Sequence, residues 1–278
     1  MKPAPFDYIR AESVASCIQS LADASGDGKI IAGGQSLAPV LAMRLSRPSV
    51  LVDINRIPGL GAMERHDDSL SLGPLVRHAD LVEQRHSLLL AEAGRWIGHP
   101  AIRSRGTLGG SISHSDPSAE WPVVASALEA MMTVAGPAGK RKVHASEFFL
   151  GALEPDLEPD EMLVGIEMPI PQTWGFAELS RRHGDFGLVT VVTALVEDRW
   201  RIAIGGIGAV PLRAEESEAI LGDRRDDEAV RQAARAAGAA VEPGDDIHAS
   251  KEYRAAMVEE FTHRSIVQAL SASAAGVH

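Results

Sequence analysis

Two pairs of adjacent glycines are the residues of this sequence best suited to binding a ligand through the backbone. The first pair lies in residues 32–36 (Ala-Gly-Gly-Gln-Ser) and the second in residues 107–111 (Thr-Leu-Gly-Gly-Ser). Adjacent glycines let successive N–H groups point into one concavity, a geometry that suits phosphate oxygens. Hydroxyl groups within both segments, and the amide of Gln35, would add further donors. Either pair alone is more often a simple turn.

Acidic residues follow the second pair. Asp116 and Glu120 would accept hydrogen bonds from hydroxyl groups such as those of a ribityl chain. Two donor-lined turns and a carboxylate match a cofactor that contains a diphosphate and a polyol. His114 and Asp116 could also be read as a metal pair, but two ligands one residue apart on a loop are an incomplete site. We therefore predict no metal site.

Two other enzyme classes have partial signatures. Residues 34–38 (Gly-Gln-Ser-Leu-Ala) nearly match the nucleophile elbow of a serine hydrolase, with Ser36 as nucleophile. Too little chain precedes Ser36 to supply an oxyanion donor, and Ala38 replaces the second motif glycine. Residues 206–208 (Gly-Ile-Gly) could open a nicotinamide-binding fingerprint, but Pro211 stands where its third glycine belongs.

The elements around the first glycine pair predict a small α/β unit. Ser13 is a candidate N-cap for a helix, residues 29–32 and 50–53 are candidate strands, and a second helix follows Ser36. This unit extends to about residue 57. From residue 58 to about 172 we predict a second, α+β unit, in which the second glycine pair lies in a loop from Gly106 to Trp121.

The remaining chain predicts a further α+β domain. Pro169 and Pro171 mark the best boundary, because two prolines so close together interrupt both helices and strand ladders. Beyond them we predict an antiparallel sheet followed by three helices, so that the domains are 1–172 and 173–278. The predicted fold class is therefore α/β plus α+β.

Composition excludes several partners and cofactors. The chain has 278 residues and a formal charge of −11, so it lacks the positive charge that attracts nucleic acid or an anionic membrane. A single cysteine, Cys17, cannot close an internal disulfide, and it cannot by itself ligate an iron–sulfur cluster or a thiolate zinc site. No apolar run approaches the length of a membrane helix, and the N-terminal residues do not match a signal peptide. We expect a cytoplasmic protein.

Four motifs, in order, make a family resemblance specific. They are residues 29–37, residues 107–122, residues 182–186 (Arg-His-Gly-Asp-Phe) and residues 205–213 (Gly-Gly-Ile-Gly-Ala-Val-Pro-Leu-Arg). Together they resemble the FAD-binding medium subunit of molybdenum hydroxylases, which include carbon monoxide dehydrogenase and xanthine dehydrogenase. The resemblance covers nearly the whole chain. It implies a two-subdomain PCMH-type FAD-binding domain followed by a C-terminal antiparallel sheet with helices.

The resemblance also implies a cofactor site. The two glycine segments would bind the FAD diphosphate, Glu120 the ribityl chain, and residues of later strands and loops the isoalloxazine ring. The residues assigned to FAD are Lys29, Ile30, Ile31, Ala32, Gly33, Gly34, Gln35, Ser36, Leu37, Thr107, Leu108, Gly109, Gly110, Ser111, Ser115, Asp116, Glu120, Met162, Leu163, Asp185 and Phe186. Many relatives have a lysine in the strand that here reads Ala177-Glu178-Leu179, so a cationic contact from that strand is not expected.

The resemblance implies partners as well. A large subunit would carry a molybdenum pterin and a small subunit [2Fe–2S] clusters, in a dimer of heterotrimers. Electrons would pass from the clusters to FAD on this chain and then to an external acceptor. No residue of this chain needs to act as a catalytic acid or base, and the substrate is selected elsewhere. A flavin-free scaffold subunit remains the alternative from a different functional class.

Overall fold

The structure is a computed structural model that describes residues 2–274. The strands are β1 (Asp7–Arg10), β2 (Gly28–Ile31), β3 (Val50–Asp53), β4 (Met63–Arg65), β5 (Ser69–Leu72), β6 (Met131–Gly136), β7 (Gly139–His144), β8 (Phe149–Gly151), β9 (Glu154–Pro155), β10 (Met162–Pro169), β11 (Thr173–Leu179), β12 (Val189–Val196), β13 (Arg199–Gly205) and β14 (Leu212–Arg213). The helices are α1 (Val14–Asp23), α2 (Leu37–Ala42), α3 (His78–Glu83), α4 (Leu88–Trp96), α5 (Pro100–Arg103), α6 (Leu108–His114), α7 (Glu120–Ala127), α8 (Ala145–Phe148), α9 (Glu215–Leu221), α10 (Asp227–Ala239) and α11 (Lys251–Ala274).

The first unit is a small parallel sheet with the strand order β1-β3-β2. Both outer strands pair in parallel with β3, so the carboxyl ends of all three strands lie at the same edge. The Ser13 hydroxyl caps α1 as predicted, accepting a hydrogen bond from the N–H of Ser16. The sequence did not predict β1, because its four residues are exposed and show no apolar alternation. The first glycine segment starts at the carboxyl edge of this sheet, where β2 ends.

The second unit is a five-stranded antiparallel sheet with the order β4-β5-β10-β6-β7. One face carries the buried side chains of Leu72, Met132 and Ile166, which pack against α3, α4, α6 and α7. The strands β6 and β7 form a hairpin. The short strand β4 was not predicted, since only three residues form it and two of them are exposed.

The loop predicted from Gly106 to Trp121 contains the helix α6, and that prediction is wrong for residues 108–114. The small and polar composition of this stretch favours a loop. Thr107 nevertheless caps the helix, since its side chain accepts a hydrogen bond from the N–H of Gly110. The second glycine pair therefore lies in the first turn of a helix.

The C-terminal sheet has the order β11-β12-β13-β14 and is buried on both faces. Val192 and Ala194 on one face join the core of the second unit, and Val189 and Val191 on the other join a core that includes α10 and α11. The helix α7 lies between the two units, and all of its residues are buried. A helix that is buried all round belongs to a core and not to a surface.

Ion pairs also join the second unit to the C-terminal sheet. Glu129 follows α7 and accepts hydrogen bonds from Arg201 on β13 and from Arg213 on β14, each with an N···O distance of 3.0 Å. The predicted fold class, α/β plus α+β with a C-terminal antiparallel sheet and helices, is confirmed.

Candidate functional site

The first glycine segment, residues 32–36, leads from β2 into α2. Gly34 has a φ of +71°, which glycine adopts without the steric penalty that a Cβ atom brings. Among the described residues, no protein oxygen accepts a hydrogen bond from the backbone N–H groups of residues 33–37. The segment is partly exposed. It therefore offers a row of backbone donors that suits phosphate oxygens.

The second glycine pair differs, because its backbone donors are bonded within the chain. Thr107 Oγ1 accepts a hydrogen bond from the N–H of Gly110 at 3.1 Å. The Pro74 carbonyl accepts one from the N–H of Gly109 at 3.0 Å. The prediction that this pair forms a concavity of free donors is wrong. What this segment presents to a ligand is the half-exposed Ser111 side chain and the exposed surface at Gly110.

Packing explains why glycine occupies both positions of the second pair. A Cβ atom on Gly109 would lie 2.3 Å from the Cβ atom of Pro74, and a Cβ atom on Gly110 would lie 2.7 Å from Thr107 Oγ1. Such distances are far below van der Waals contact, so a side chain would displace the neighbouring atoms.

The first segment directly contacts the residues that lead into the second. A Cβ atom on Gly33 would lie 2.1 Å from the carbonyl oxygen of Arg105 and 2.9 Å from the Cα atom of Gly106. Only a glycine at position 33 permits this approach of two backbones. The donors of the first segment therefore lie near the start of α6, as two turns that bind one diphosphate would require.

His78 lies beneath this contact and is uncharged at neutral pH. Its side chain is buried, and its Nδ1 atom accepts a hydrogen bond from Trp121 Nε1 at 3.0 Å. Burial, reinforced by the charges of Arg77 and Arg103, lowers the pKa of His78 to about 4. The ring supports Gly106, whose Cα hydrogen faces it, since a Cβ atom there would lie 2.6 Å from the imidazole Cδ2.

Asn55 and Arg77 also join the two segments, and the sequence analysis did not single them out. Asn55 Nδ2 donates to the carbonyl of Ala32, and Arg77 donates to the carbonyl of Arg105. The two side chains bond to each other. The one available signal is the position of Asn55 just beyond the carboxyl end of β3.

Glu120, the first residue of α7, is a buried carboxyl group. Burial raises the pKa of Glu120, and the nearby charge of Asp116 raises it further. Asp116 itself accepts a hydrogen bond from the N–H of Ser118 at 2.9 Å. A carboxyl group in this state can accept or donate a hydrogen bond, so it suits a hydroxyl-bearing ligand.

Glu178 on β11 is a second buried carboxyl group near Glu120. Burial raises its pKa, and the charge of Glu120 adds to the effect. Its Oε2 atom accepts a hydrogen bond from Thr190 Oγ1 at 3.3 Å, whereas its buried Oε1 atom has no protein partner among the described residues. The sequence draws attention to this position only through its missing lysine. An orphaned oxygen of this kind indicates a place for a ligand group.

The other predicted cofactor residues are more dispersed. Met162 and Leu163 on β10 are buried in core contacts. Ser115 is buried and its hydroxyl donates to the carbonyl of Gly151 at 3.2 Å. Asp185 and Phe186 lie in an exposed loop, and Phe186 is 66% exposed.

The structure also bears on a dinucleotide fingerprint, a metal site and a membrane helix. The turn at Gly206 leads to β14 and not to a helix, and its N–H donates to the carbonyl of Pro117, so it does not form a dinucleotide fingerprint. Between residues 2 and 274, no group of three or more histidine, cysteine or acidic side chains could hold a metal ion. Over the same residues, no helix has both the length and the apolar character to cross a membrane.

Comparisons with known proteins agree with this geometry. Residues 4–171 match the family model described as the FAD binding domain in molybdopterin dehydrogenase. Residues 174–269 match the model described as the CO dehydrogenase flavoprotein C-terminal domain.

Individual relatives extend the match over the whole chain. The 6-hydroxypseudooxynicotine dehydrogenase complex subunit alpha of Paenarthrobacter nicotinovorans is 41% identical, over 97% of this chain and 96% of its own. The nicotine 6-hydroxylase medium subunit of the same organism is 42% identical, over 87% and 90%. Quinoline 2-oxidoreductase from Pseudomonas putida 86 has a chain that superposes with a TM-score of 0.93 at 37% identity, over 98% of this chain and 99% of its own.

Proposed function

The chain belongs to the FAD-binding medium subunits of the molybdenum hydroxylases, and on that premise we propose how its residues serve the cofactor. It is an oxidoreductase subunit with an FAD-binding domain. The observation that carries the assignment of the site is the row of N–H groups at residues 33–37, which have no acceptor within the described chain. We divide the chain into an FAD-binding domain of residues 1–172 and a C-terminal domain of residues 173–278.

The residues present fit FAD. The backbone donors at residues 33–37 and the Ser111 hydroxyl would bind the diphosphate, and Glu120 the ribityl chain. Glu178, with its orphaned Oε1 atom, would bond to a polar group of the same cofactor. Met162, Leu163, Asp185 and Phe186 would flank the isoalloxazine ring. The remaining assigned residues would support the two glycine segments.

When bound, FAD supplies the exchange between one-electron and two-electron transfer, and the protein supplies binding, orientation and electrostatics. Three buried side chains of the protein have defined protonation states. Burial favours the neutral forms of Glu120 and Glu178, so each can hold a proton on a carboxyl oxygen. His78 stays uncharged beneath Gly106. No side chain of this chain is assigned a catalytic acid or base role.

Membership of the family implies partners that carry the other redox groups. On that basis we assign the [2Fe–2S] clusters to a small subunit and the molybdenum pterin to a large subunit. The single cysteine of this chain agrees with the assignment, because one thiolate cannot ligate a cluster. The complex would be a dimer of heterotrimers in the cytoplasm. This chain would receive electrons from the small subunit and deliver them to an external acceptor. Its charge of −11 disfavours nucleic acid as a partner.

We further propose a substrate class for the complex, an aromatic ring that contains nitrogen. The supporting observation is that relatives named for nicotine derivatives and for quinoline share 37–42% of their residues with this chain. The pocket that selects the substrate would lie on the large subunit. Purified complex should transfer electrons from nicotine or quinoline to an artificial acceptor, and activity with carbon monoxide alone would contradict this class.

Cofactor content tests the function itself. The chain, co-expressed with its partners and purified, should release about one FAD per copy on denaturation, measured by absorbance and mass spectrometry. The chain separated from its partners should hydroxylate no substrate. A colourless complex without FAD would overturn the proposal and would favour a scaffold role. Labelling of Ser36 by a fluorophosphonate would instead favour a hydrolase.

A further inference from the structure

Two side chains connect the first glycine segment to the residues that lead into the second. The connection runs from the carbonyl of Ala32 through Asn55 and Arg77 to the carbonyl of Arg105. We call these two side chains the Asn55–Arg77 bridge.

Asn55 fixes the first end of the bridge. Its Nδ2 atom donates to the Ala32 carbonyl and to Asp53 Oδ1, each at 2.7 Å, and its backbone N–H donates to the same Asp53 oxygen at 2.8 Å. Asp53 in turn accepts a hydrogen bond from the hydroxyl of Tyr8 on β1. The side-chain amide is therefore held in one orientation, with its oxygen turned towards Arg77.

Arg77 forms the second end. Its Nη2 atom donates to Asn55 Oδ1 at 2.7 Å, and its Nη1 atom donates to the Arg105 carbonyl. That carbonyl is the group that Gly33 approaches most closely, since a Cβ atom there would lie 2.1 Å away. The guanidinium thus holds the backbone atom that sets how near the two segments can come.

The backbone around Arg77 is also fixed to the second segment. Arg77 and Thr107 form an antiparallel bridge. The N–H of His78 donates to the Gly106 carbonyl at 3.1 Å, and the N–H of Leu108 to the Val76 carbonyl at 2.9 Å. Arg77 is therefore attached to the second segment through its main chain, and its side chain reaches the first segment through Asn55.

Charged groups of both signs surround Arg77. Burial and the charge of Arg105 lower the pKa of Arg77, whereas the charges of Asp80 and Asp53 raise it. The guanidinium is charged at neutral pH, so its hydrogen bonds to Asn55 and to the Arg105 carbonyl are charge-assisted.

We propose that Asn55 and Arg77 are positioning residues that hold the two glycine segments at the separation the FAD diphosphate requires. The inference rests on the proposed function, since it assigns these residues to the same cofactor. They act through the backbone and need not touch the cofactor. Loss of either side chain should release the Arg105 carbonyl from its place against Gly33 and let the two segments move apart.

The test measures FAD and ADP dissociation constants for the purified full chain after FAD removal, by calorimetry and by quenching of flavin fluorescence. ADP carries the diphosphate without the flavin. Arg77→Met and Asn55→Ala should each weaken both ligands by about tenfold to hundredfold, the range expected for charge-assisted hydrogen bonds. The double variant should bind FAD about as weakly as the weaker single variant, because both changes break one bridge.

A matched control separates this role from general stability. Arg141 also donates to a backbone carbonyl, that of Asp156 at 2.8 Å, and to two carboxylates. Arg141→Met should lower the melting temperature and leave both dissociation constants within twofold. If Arg77→Met does not fold, Arg77→Lys decides the matter, because one retained contact should give an intermediate FAD affinity while Arg141→Lys binds as wild type.

The outcomes are distinguishable. Wild-type chain that binds no FAD would overturn the proposed function and the bridge together. Wild-type FAD binding with unchanged affinity in Arg77→Met would overturn the bridge alone. A loss for FAD without a loss for ADP would also overturn it, since the defect would then lie at the flavin and not at the diphosphate. Additive losses in the double variant would show that the two side chains act separately, against the proposal.

Discussion

The two glycine pairs look alike in the sequence and differ in the structure. At residues 33–37 the backbone N–H groups have no acceptor among the described residues, and the segment is partly exposed. At Gly109 and Gly110 the N–H groups are bonded to Pro74 and Thr107, and a side chain on Gly109 would meet Pro74. The first pair exposes donors, and the second permits close packing. A glycine pair can therefore serve a ligand or a core, and its hydrogen-bond partners tell which.

Valine at each position should separate the two roles with the largest effects. Gly109→Val places a branched side chain where Pro74 lies 2.3 Å from a Cβ atom, and we expect a loss of about 3 kcal/mol or more in the free energy of unfolding. Gly33→Val would meet the Arg105 carbonyl and force the two segments apart. Because Gly33 is partly exposed whereas Gly109 is buried, we expect a smaller loss of stability but at least tenfold weaker FAD binding. Urea denaturation and calorimetry measure both quantities.

Two results would contradict this contrast between the glycine pairs. Wild-type stability in Gly109→Val would show that the second pair is not required by packing. Wild-type FAD affinity in Gly33→Val would show that the first segment does not bind the cofactor.

A pH profile tests the buried carboxyl group of Glu178, which, unlike the first glycine segment, is shielded from solvent. The folded chain keeps a proton on Glu178 above the ordinary carboxyl pKa of 4.5, whereas the unfolded chain loses it. The folded state then binds more protons, so the free energy of unfolding falls as pH rises from 4.5 to the raised folded-state pKa. Glu178→Gln should remove the share of this fall that Glu178 causes, leave the share of Glu120, and stabilise the chain at pH 8 by about 1–3 kcal/mol.

Urea denaturation between pH 5 and pH 8 would measure this difference. Glu252→Gln is the matched control, because it makes the same chemical change at an exposed position on α11. It should leave the pH profile unchanged. A Glu178→Gln profile that still falls as steeply as that of the wild type would contradict the buried neutral carboxyl group.

The smallest effect concerns the cap of the second segment. Thr107→Ala removes the oxygen that accepts the Gly110 N–H, and we expect a loss of about 1 kcal/mol in the free energy of unfolding. Thr107→Ser should restore most of it. If Thr107→Ala instead left stability unchanged and weakened FAD binding strongly, the hydroxyl would serve the ligand and not the helix.

Local patterns predicted much of this molecule, and contacts between distant residues explain what they missed. The Ser13 cap, β2 and β3 depend on neighbouring residues, so the sequence predicts them. The helix α6 depends on carbonyl groups at Pro74 and Val76, far from its own residues. Composition alone therefore favoured a loop.

The residues of the candidate site also divide into those with a local sequence pattern and those that depend on contacts between distant residues. Glycine pairs and acidic residues can be recognised by type, and the resemblance orders them along the chain. Asn55 and Arg77 meet across 22 residues, and Glu178 is buried where the C-terminal sheet meets the second unit. No local pattern encodes either arrangement, because each depends on how separate units come together.

The position of α7 limits how this subunit can be divided. Every residue of the helix is buried, and its neighbours on one side are strands of the C-terminal sheet. A polypeptide ending near residue 172 would expose the apolar surface of α7 to water. It would aggregate or bind another protein through that surface. The FAD-binding domain is therefore not stable without the C-terminal domain. An exchange of electron-transfer subunits between such complexes has to transfer both domains together.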